Sequence, residues 1–318
     1  MKTKHITLGV ATILMATSFT FTSCRKKETT KPQEPDTDQT AAKDNNLSES
    51  INNDVVAMGS QAVENQTSLS TFKTINGTEG NTEVLSLATS ATVTPVGKVI
   101  TVDFGPLPGI TCADGRIRSG KLIYDYSASP IGADRYRKPG FTMIVMTTTV
   151  SPYLVDGNQV NIISKKVTNT SPLSIATETA YSGTNLTWSI TANVSIVKAN
   201  SGGTISWTCN RTKELTNSND PLCYKGQFYP IDWTKAKIKI NGVATGTSKD
   251  GESFSATASN LLRDHTCTGT TGRRHFVSGQ LAYTPGSKPT RTIDYGNGVC
   301  DDLATLTVNG NTYNITLP

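Results

Sequence analysis

The stretch Leu186-Thr187-Trp188-Ser189-Ile190-Thr191-Ala192-Asn193-Val194-Ser195-Ile196 decides the fold class of this chain. Apolar residues occupy every second position, and Thr, Ser or Asn occupy the positions between them. Successive side chains of a strand point to opposite faces, whereas a helix would scatter this pattern round its whole circumference. Residues 186–196 are therefore predicted to form a strand with one buried face and one solvated face.

The same period of two recurs through the second half of the chain, in residues 204–209, 235–240, 304–308 and 313–317. Turn-forming dipeptides separate such segments and favour hairpins. They are Asp156-Gly157, Gly202-Gly203, Asn241-Gly242, Asp250-Gly251, Pro285-Gly286 and Asn309-Gly310. The sequence predicts an all-β domain over residues 91–318, an antiparallel meander of hairpins. Both a sandwich and a curled, barrel-like sheet fit this pattern.

One short amphipathic helix is predicted before the β domain. Apolar residues recur at helical spacing at Leu47, Ile51, Val55, Met58 and Ala62. Asn46 is the expected N-cap, with Glu49 three residues later as in a capping box. Residues 47–90 are predicted to contain this helix, over 47–64, and a polar linker.

The N-terminus has the layout of an export signal, with Lys2 and Lys4 before an apolar or small-residue stretch that runs to Ser23. Small residues directly before Cys24 resemble a bacterial lipobox. The resemblance implies cleavage before Cys24 and lipidation of its sulfur and its new amine. We predict a signal peptide over 1–23, a lipidated disordered tether over 24–46, and an outer-membrane lipoprotein on either the periplasmic or the surface side.

The charge of the chain argues against nucleic acid as a partner. The net charge is +5, and loss of Lys2 and Lys4 with the signal leaves +3. These charges are scattered and form no basic stripe. The membrane, reached through the lipid, and a glycan or protein are the predicted partners.

Five cysteines remain once Cys24 is lipidated, so at least one of them lies outside any intramolecular disulfide. Cys209 and Cys223 are predicted to pair, tying a strand to the loop after it. A second pair is expected among Cys112, Cys267 and Cys300.

The sequence contains no recognisable catalytic, metal or cofactor motif, and we predict a non-enzymatic protein without metal or cofactor. His265 and His275 have no metal-ligand spacing. Four aspartates are candidate functional residues: Asp103, Asp294, Asp301 and Asp302. We favour the interpretation that they are ordinary residues of turns and strand ends. The alternative is that their carboxylates hydrolyse a glycan or bind calcium. Arg116, Arg118 and Lys121 are expected on a solvated outer face.

An aromatic loop follows Pro221. It contains Tyr224, Phe228, Tyr229 and Trp233, with Cys223 near its start. Large aromatic side chains usually bury their area, which favours folding back over an edge of the core. The alternative is an exposed surface that stacks on sugar rings or anchors a partner, and these four residues are then the predicted ligand contacts.

Several segments resemble uncharacterised lipoproteins of Bacteroidetes-type bacteria. They are Thr292–Asp301, Thr307–Gly310, Ile315–Leu317, Asp114–Lys121, Lys166–Asn169 and Val277–Gly279. The resemblance implies an envelope location and this fold class, and it implies no activity. Ile100–Gly105 and Arg291–Gly296 also resemble each other, which fits either a duplicated β unit or two similar hairpins by chance.

The most direct functional hypothesis is a non-catalytic envelope lipoprotein that binds or scaffolds a glycan or protein. One alternative is an adhesin or pilus-like subunit that exchanges a terminal strand, with residues 304–317 as the candidate. Another alternative is an envelope glycan hydrolase that uses the aspartates.

Overall fold

The computed structural model describes residues 40–64, 91–112, 115–175, 183–267 and 276–316. Cys24, the signal, the N-terminal part of the predicted tether, the polar linker and His275 lie outside these residues. The described part contains one α-helix and an antiparallel β-sheet, which confirms the predicted all-β class with a preceding helix. No described helix is both long enough and apolar enough to cross a membrane.

Helix α1 spans Thr40–Glu64. The strands are β1 (Thr92–Val96), β2 (Val99–Asp103), β3 (Ile110–Thr111), β4 (Ile117–Ser119), β5 (Lys121–Asp125), β6 (Thr142–Thr147), β7 (Tyr153–Val155), β8 (Asn158–Asn169), β9 (Leu186–Val197), β10 (Thr204–Leu215), β11 (Lys237–Thr247), β12 (Ser253–Asp264), β13 (Ser278–Pro285), β14 (Arg291–Asn297), β15 (Leu303–Val308) and β16 (Asn311–Thr316).

All sixteen described strands belong to one continuous sheet. Its main path runs β1-β2-β5-β6-β8-β9-β10-β11-β12-β13-β14-β15-β16. The short strands β3, β4 and β7 branch from this path beside β8. β1 and β16 are not paired with each other among the described residues, so the sheet is open.

The turn dipeptides behave as predicted where both residues adopt positive φ. Asp156-Gly157 joins β7 to β8, and Asn309-Gly310 joins β15 to β16, as expected for two-residue hairpin loops. The prediction of a turn at Asn241-Gly242 is wrong, because both residues lie inside β11 at a bulge. A Cβ on Gly242 would lie 2.2 Å from the Asn210 carbonyl oxygen, so glycine here allows a close strand approach.

Helix α1 begins at Thr40, seven residues before the predicted start. Asn46 therefore lies inside the helix and is no N-cap, and the predicted disordered tether is wrong for its last residues. Asp44 and Asn45 are fully or almost fully buried. The composition of this stretch is polar because its partners in the sheet are polar.

Three acidic residues of α1 show that the sheet bends round the helix. They are spaced five residues apart, which separates their directions by about 140° on an α-helix. Each meets a cation from a different part of the sheet: Asp44 with Lys198 (2.6 Å), Glu49 with Arg211 (2.9 Å) and Asp54 with Arg118 (2.8 Å). The prediction that Arg118 lies on a solvated outer face is therefore wrong, since its side chain is fully buried.

The apolar contacts of α1 are equally close. A Cβ on Gly59 would lie 2.5 Å from the Tyr124 ring and 2.8 Å from Met143, so only glycine fits at this crossing. The Tyr124 hydroxyl donates a hydrogen bond to the Val55 carbonyl oxygen at 3.0 Å. Helix and sheet thus share one core, and α1 is an integral element of the fold.

The antiparallel register gives the sheet two distinct ends. The turn end contains the tight connections at 156–157, 198–203 and 248–252. The loop end contains the longer connections 126–141 and 216–236, and β12 ends and β13 begins there, at Asp264 and Ser278. Because Asp44 contacts Lys198 and Glu64 contacts Arg137, α1 runs from the turn end to the loop end.

Candidate functional site

The structure divides the predicted aromatic loop into a buried half and an exposed half. Tyr224 and Trp233 are 1% and 7% exposed, which confirms for these two residues the favoured prediction that the loop folds back over the core and contradicts the alternative that they contact a ligand. Trp233 packs against Tyr136 and Trp188 with ring centroids 6.1 Å from each, so it closes the core beneath the loop. Phe228 and Tyr229 are 61% and 53% exposed at the loop end.

Arg137 fixes the loop that carries these two exposed rings. Its Nε donates to the Gln227 carbonyl oxygen at 2.8 Å, and its guanidinium pairs with Glu64 at the last turn of α1. Lys138 places its ammonium 5.4 Å from the centre of the Phe228 ring. Phe228 is therefore exposed on a loop whose backbone is tied to the central helix.

The loop end also exposes other apolar side chains. The turn end exposes apolar side chains as well, among them Leu107 and Val150. Those at the loop end are Val96, Ile131, Leu173, Leu222, Phe228, Tyr229, Val299 and Leu303.

The structure brings two of the four candidate aspartates together. Asp294 and Asp301 line one cleft of about 440 Å³ between β14 and β15, at the loop end. Asp103 ends β2 at the opposite, turn end of the sheet, so it cannot act with them. The rest of the cleft lining comes from Tyr295, Gly296, Asn297, Val299, Leu303, Ala304, Thr305, Asn314 and Ile315.

Asp294 is held in its ionised form. Hydrogen bonds from the Gln280 side chain and from the Gly296 backbone N–H lower the pKa of its carboxyl group. Asp301 accepts a hydrogen bond from the Leu303 N–H at 3.1 Å. Among the described residues no Lys or Arg forms an ion pair with either carboxylate, and the described lining of the cleft contains these two acidic side chains and no basic one.

The predicted Cys209–Cys223 disulfide is wrong. Cys209 lies in the middle of β10, about 20 Å before the strand ends at Leu215, while Cys223 lies in the loop beyond it. Both are free and buried, as is Cys112. The disulfide joins Cys267 to Cys300, so the expectation of a pair among Cys112, Cys267 and Cys300 is confirmed.

The thiols of Cys209 and Cys223 are poor nucleophiles. Burial raises the pKa of Cys209 to about 11 and that of Cys223 to about 12, so both remain protonated near neutrality. His265 is buried. Within the described ranges no group of three or more His, Cys, Asp or Glu residues is arranged to hold a metal ion.

The fold and these sites define an all-β protein with a helix enclosed by an open, curled sheet. Comparison with known proteins adds no family to this description: no family model, no curated protein and no solved structure matches the chain.

Proposed function

We propose that this protein is a non-catalytic lipoprotein of the cell envelope that binds a glycan through its loop end. The observation that carries the proposal is the pair of exposed rings of Phe228 and Tyr229 on a loop tied to α1. Flat aromatic rings present an apolar face to the C–H face of a sugar, and aromatic side chains dominate many binding surfaces.

The direction of α1 supports this assignment of the loop end. The chain enters the domain at Thr40, at the turn end, 16 residues after Cys24. A helix of 25 residues is about 37 Å long. The start of α1 at Thr40 and the exposed rings of Phe228 and Tyr229 therefore lie at opposite ends of the sheet.

Lipidation is tested by labelling growing cells with palmitate. We expect the full-length protein to take up label and to fractionate with outer membranes, and Cys24→Ser to lose both properties. An unlabelled wild-type protein would overturn the anchor. Protease treatment of intact and lysed cells then separates a surface location from a periplasmic one.

Glycan binding is tested with full-length protein by affinity electrophoresis in a panel of soluble neutral, basic and acidic polysaccharides. We expect at least one neutral or basic polysaccharide to retard the protein, and Phe228→Ala/Tyr229→Ala to remove this retardation. The matched control is Leu107→Ala/Val150→Ala, which deletes two exposed apolar side chains at the turn end. Equal retardation of wild type and loop variant, or none across the panel, would contradict the proposal.

A second candidate, a self-associating structural subunit, is favoured by one observation. β16 is an edge strand among the described residues, and the hairpin that it forms with β15 has no charged residue and no proline from Leu303 to Thr316. Natural edge strands usually carry a charge or a proline that prevents pairing with another chain. Concentration-dependent mass above one chain, abolished by Thr312→Lys, would support this role, and a strict monomer would remove it.

A further inference from the structure

The cleft between β14 and β15 exists because the two strands separate. Their ladder ends at the pair Asp294 and Thr305. Beyond that point β14 continues to Asn297 paired only with β13, while Leu303 and Ala304 pair only with β16. Among the described residues the facing edges of 295–297 and 303–304 have no strand partner, and the cleft lies between them.

The lining of the cleft combines three kinds of group. Tyr295, Leu303 and Ile315 provide apolar area, and Asn297 and Asn314 provide amides that both donate and accept hydrogen bonds. Asp294 and Asp301 provide the charged side chains among the described residues of the lining. A volume of about 440 Å³ lies in the range of small-ligand pockets.

These groups suit one class of ligand. Sugar hydroxyls donate to carboxylates and exchange hydrogen bonds with amides, and the C–H face of the ring covers apolar side chains. A protonated amine on the sugar would pair with the two carboxylates, and charge-assisted hydrogen bonds are about twice as strong as neutral ones. A uronic acid would instead be repelled.

The position of the cleft relates it to the aromatic loop. Both lie at the loop end, and the loop connects β10 to β11. Strands β12 and β13 lie between the strands that the loop connects and the strands that border the cleft. An occupant of both places would therefore be an oligosaccharide of several units and not a single sugar.

We propose that the β14–β15 cleft is a second subsite for the same glycan chain, and that it selects an amino-bearing sugar unit over an acidic one. This inference rests on the proposed glycan-binding function and specifies its substrate class. Phe228 and Tyr229 stack on one part of the chain, while Asp294 and Asp301 bind an ammonium group further along it.

The test measures binding of full-length protein to glucosamine hexamer and to galacturonic acid hexamer by calorimetry at mildly acid pH. Asp294→Asn/Asp301→Asn is the informative variant, because asparagine keeps the oxygen that accepts from the Gly296 and Leu303 N–H groups. Asp125→Asn is the matched control, since Asp125 accepts in the same way from Ser127 at the same end of the sheet.

We expect the glucosamine hexamer to bind and the galacturonic acid hexamer to fail. The cleft variant should weaken binding of the glucosamine hexamer about tenfold, the effect of losing one or two charge-assisted hydrogen bonds, and Asp125→Asn should not. Undiminished binding by the cleft variant, with binding lost in Phe228→Ala/Tyr229→Ala, overturns the cleft and leaves the proposed function intact. Weakening in the cleft variant alone supports the cleft and argues against the aromatic loop. No binding of the glucosamine hexamer by wild type overturns the amino-sugar subsite, while retardation by the polysaccharide panel decides the proposed function separately.

Discussion

The corners Asp103-Phe104-Gly105 and Asp294-Tyr295-Gly296 have the same local geometry and different surroundings. In each, the aspartate accepts a hydrogen bond at 2.9 Å from the glycine N–H two residues later, and the glycine has positive φ. The first corner lies at the turn end and the second at the loop end. The three residues therefore specify the local geometry of the corner. Residues more distant in the sequence decide whether the corner is closed or borders an open cleft.

The first corner is closed by Gly120. The Phe104 N–H donates to the Gly120 carbonyl oxygen, and the Gly120 N–H donates to that of Gly105. Lys121 then neutralises Asp103 at 3.1 Å. Phe104 is buried against Tyr153 as a result.

Among the described residues, none takes the place of Gly120 at the second corner. Tyr295 is half-buried and packs edge-on against Phe276 at 5.2 Å, and the chain then turns away through the loop that contains Cys300. Asp294 accepts a hydrogen bond from the Gln280 side chain, whereas Asp103 pairs with a lysine. The second corner therefore borders an open cleft lined by acidic side chains. At the first corner the equivalent space is filled, and Lys121 neutralises the aspartate.

The largest expected effect follows removal of the Cys267–Cys300 disulfide, which ties down the open corner. The two cysteines are 33 residues apart, and closing a loop of that length in the unfolded chain stabilises the fold by about 4 kcal/mol. We expect Cys267→Ser/Cys300→Ser to lower the urea midpoint accordingly and to expose the chain near Val299 to protease. Wild type in reductant should behave alike, and a midpoint equal to that of the oxidised protein would contradict this role.

The next effect follows from filling the closed corner. A Cβ on Gly120 would lie 1.8 Å from the Pro152 carbonyl oxygen, at a φ of +78°. Gly120→Ala combines left-handed strain with a backbone clash and should cost about 3 kcal/mol of unfolding free energy. Urea denaturation measures this change in unfolding free energy. A smaller loss than that caused by Gly296→Ala would show that the first corner is less tightly packed than its contacts indicate.

Gly296→Ala tests the open corner in the same way and should cost less. Beyond the two chain neighbours, no atom of the described residues lies within 4 Å of the added Cβ, so only the backbone strain of a φ of +86° is expected. We expect a loss of about 1 kcal/mol. A cost as large as that of Gly120→Ala would mean that the second corner is as tightly enclosed as the first.

The sequence predicted the parts of this comparison that depend on neighbouring residues. The alternation at 186–196 was sufficient for β9, and Asp-Gly and Asn-Gly pairs were sufficient for the turns at 156–157 and 309–310. Both Asp-aromatic-Gly corners were recognisable as similar. The likeness ends there, because Cys112 is a free thiol where Cys300 forms a disulfide.

The parts that depend on distant residues could not be predicted. Asp44 and Asn45 look solvated until Lys198 and Trp207 are placed beside them, more than 150 residues later in the chain. Arg118 looks exposed until α1 lies over it. The cleft depends on where the β14–β15 ladder stops, and no local pattern marks that point.

The smallest effect concerns the charge of the two aspartates. Burial alone would raise the pKa of Asp103, but the Gly105 N–H and Lys121 outweigh burial and lower it below its ordinary value of 3.8. A carboxyl with a lowered pKa stabilises the fold above its unfolded pKa, and this contribution is lost as the pH falls through the folded pKa. We expect Asp103→Asn to cost about 0.5 kcal/mol at neutral pH, as for an exposed ion pair, and nothing well below pH 3.8.

Asp294→Asn should cost less than Asp103→Asn at neutral pH, because Asp294 has hydrogen bonds and no ion pair to lose. Its pKa is also lowered, by Gln280 and the Gly296 N–H, so this small cost should vanish over the same acid range. Urea midpoints at neutral and acid pH, with and without salt, separate the two, since salt should shrink only the Asp103 difference. Equal, salt-sensitive costs would mean that a cation neutralises Asp294 as Lys121 neutralises Asp103, and the cleft would then have no free negative charge with which to select an amine.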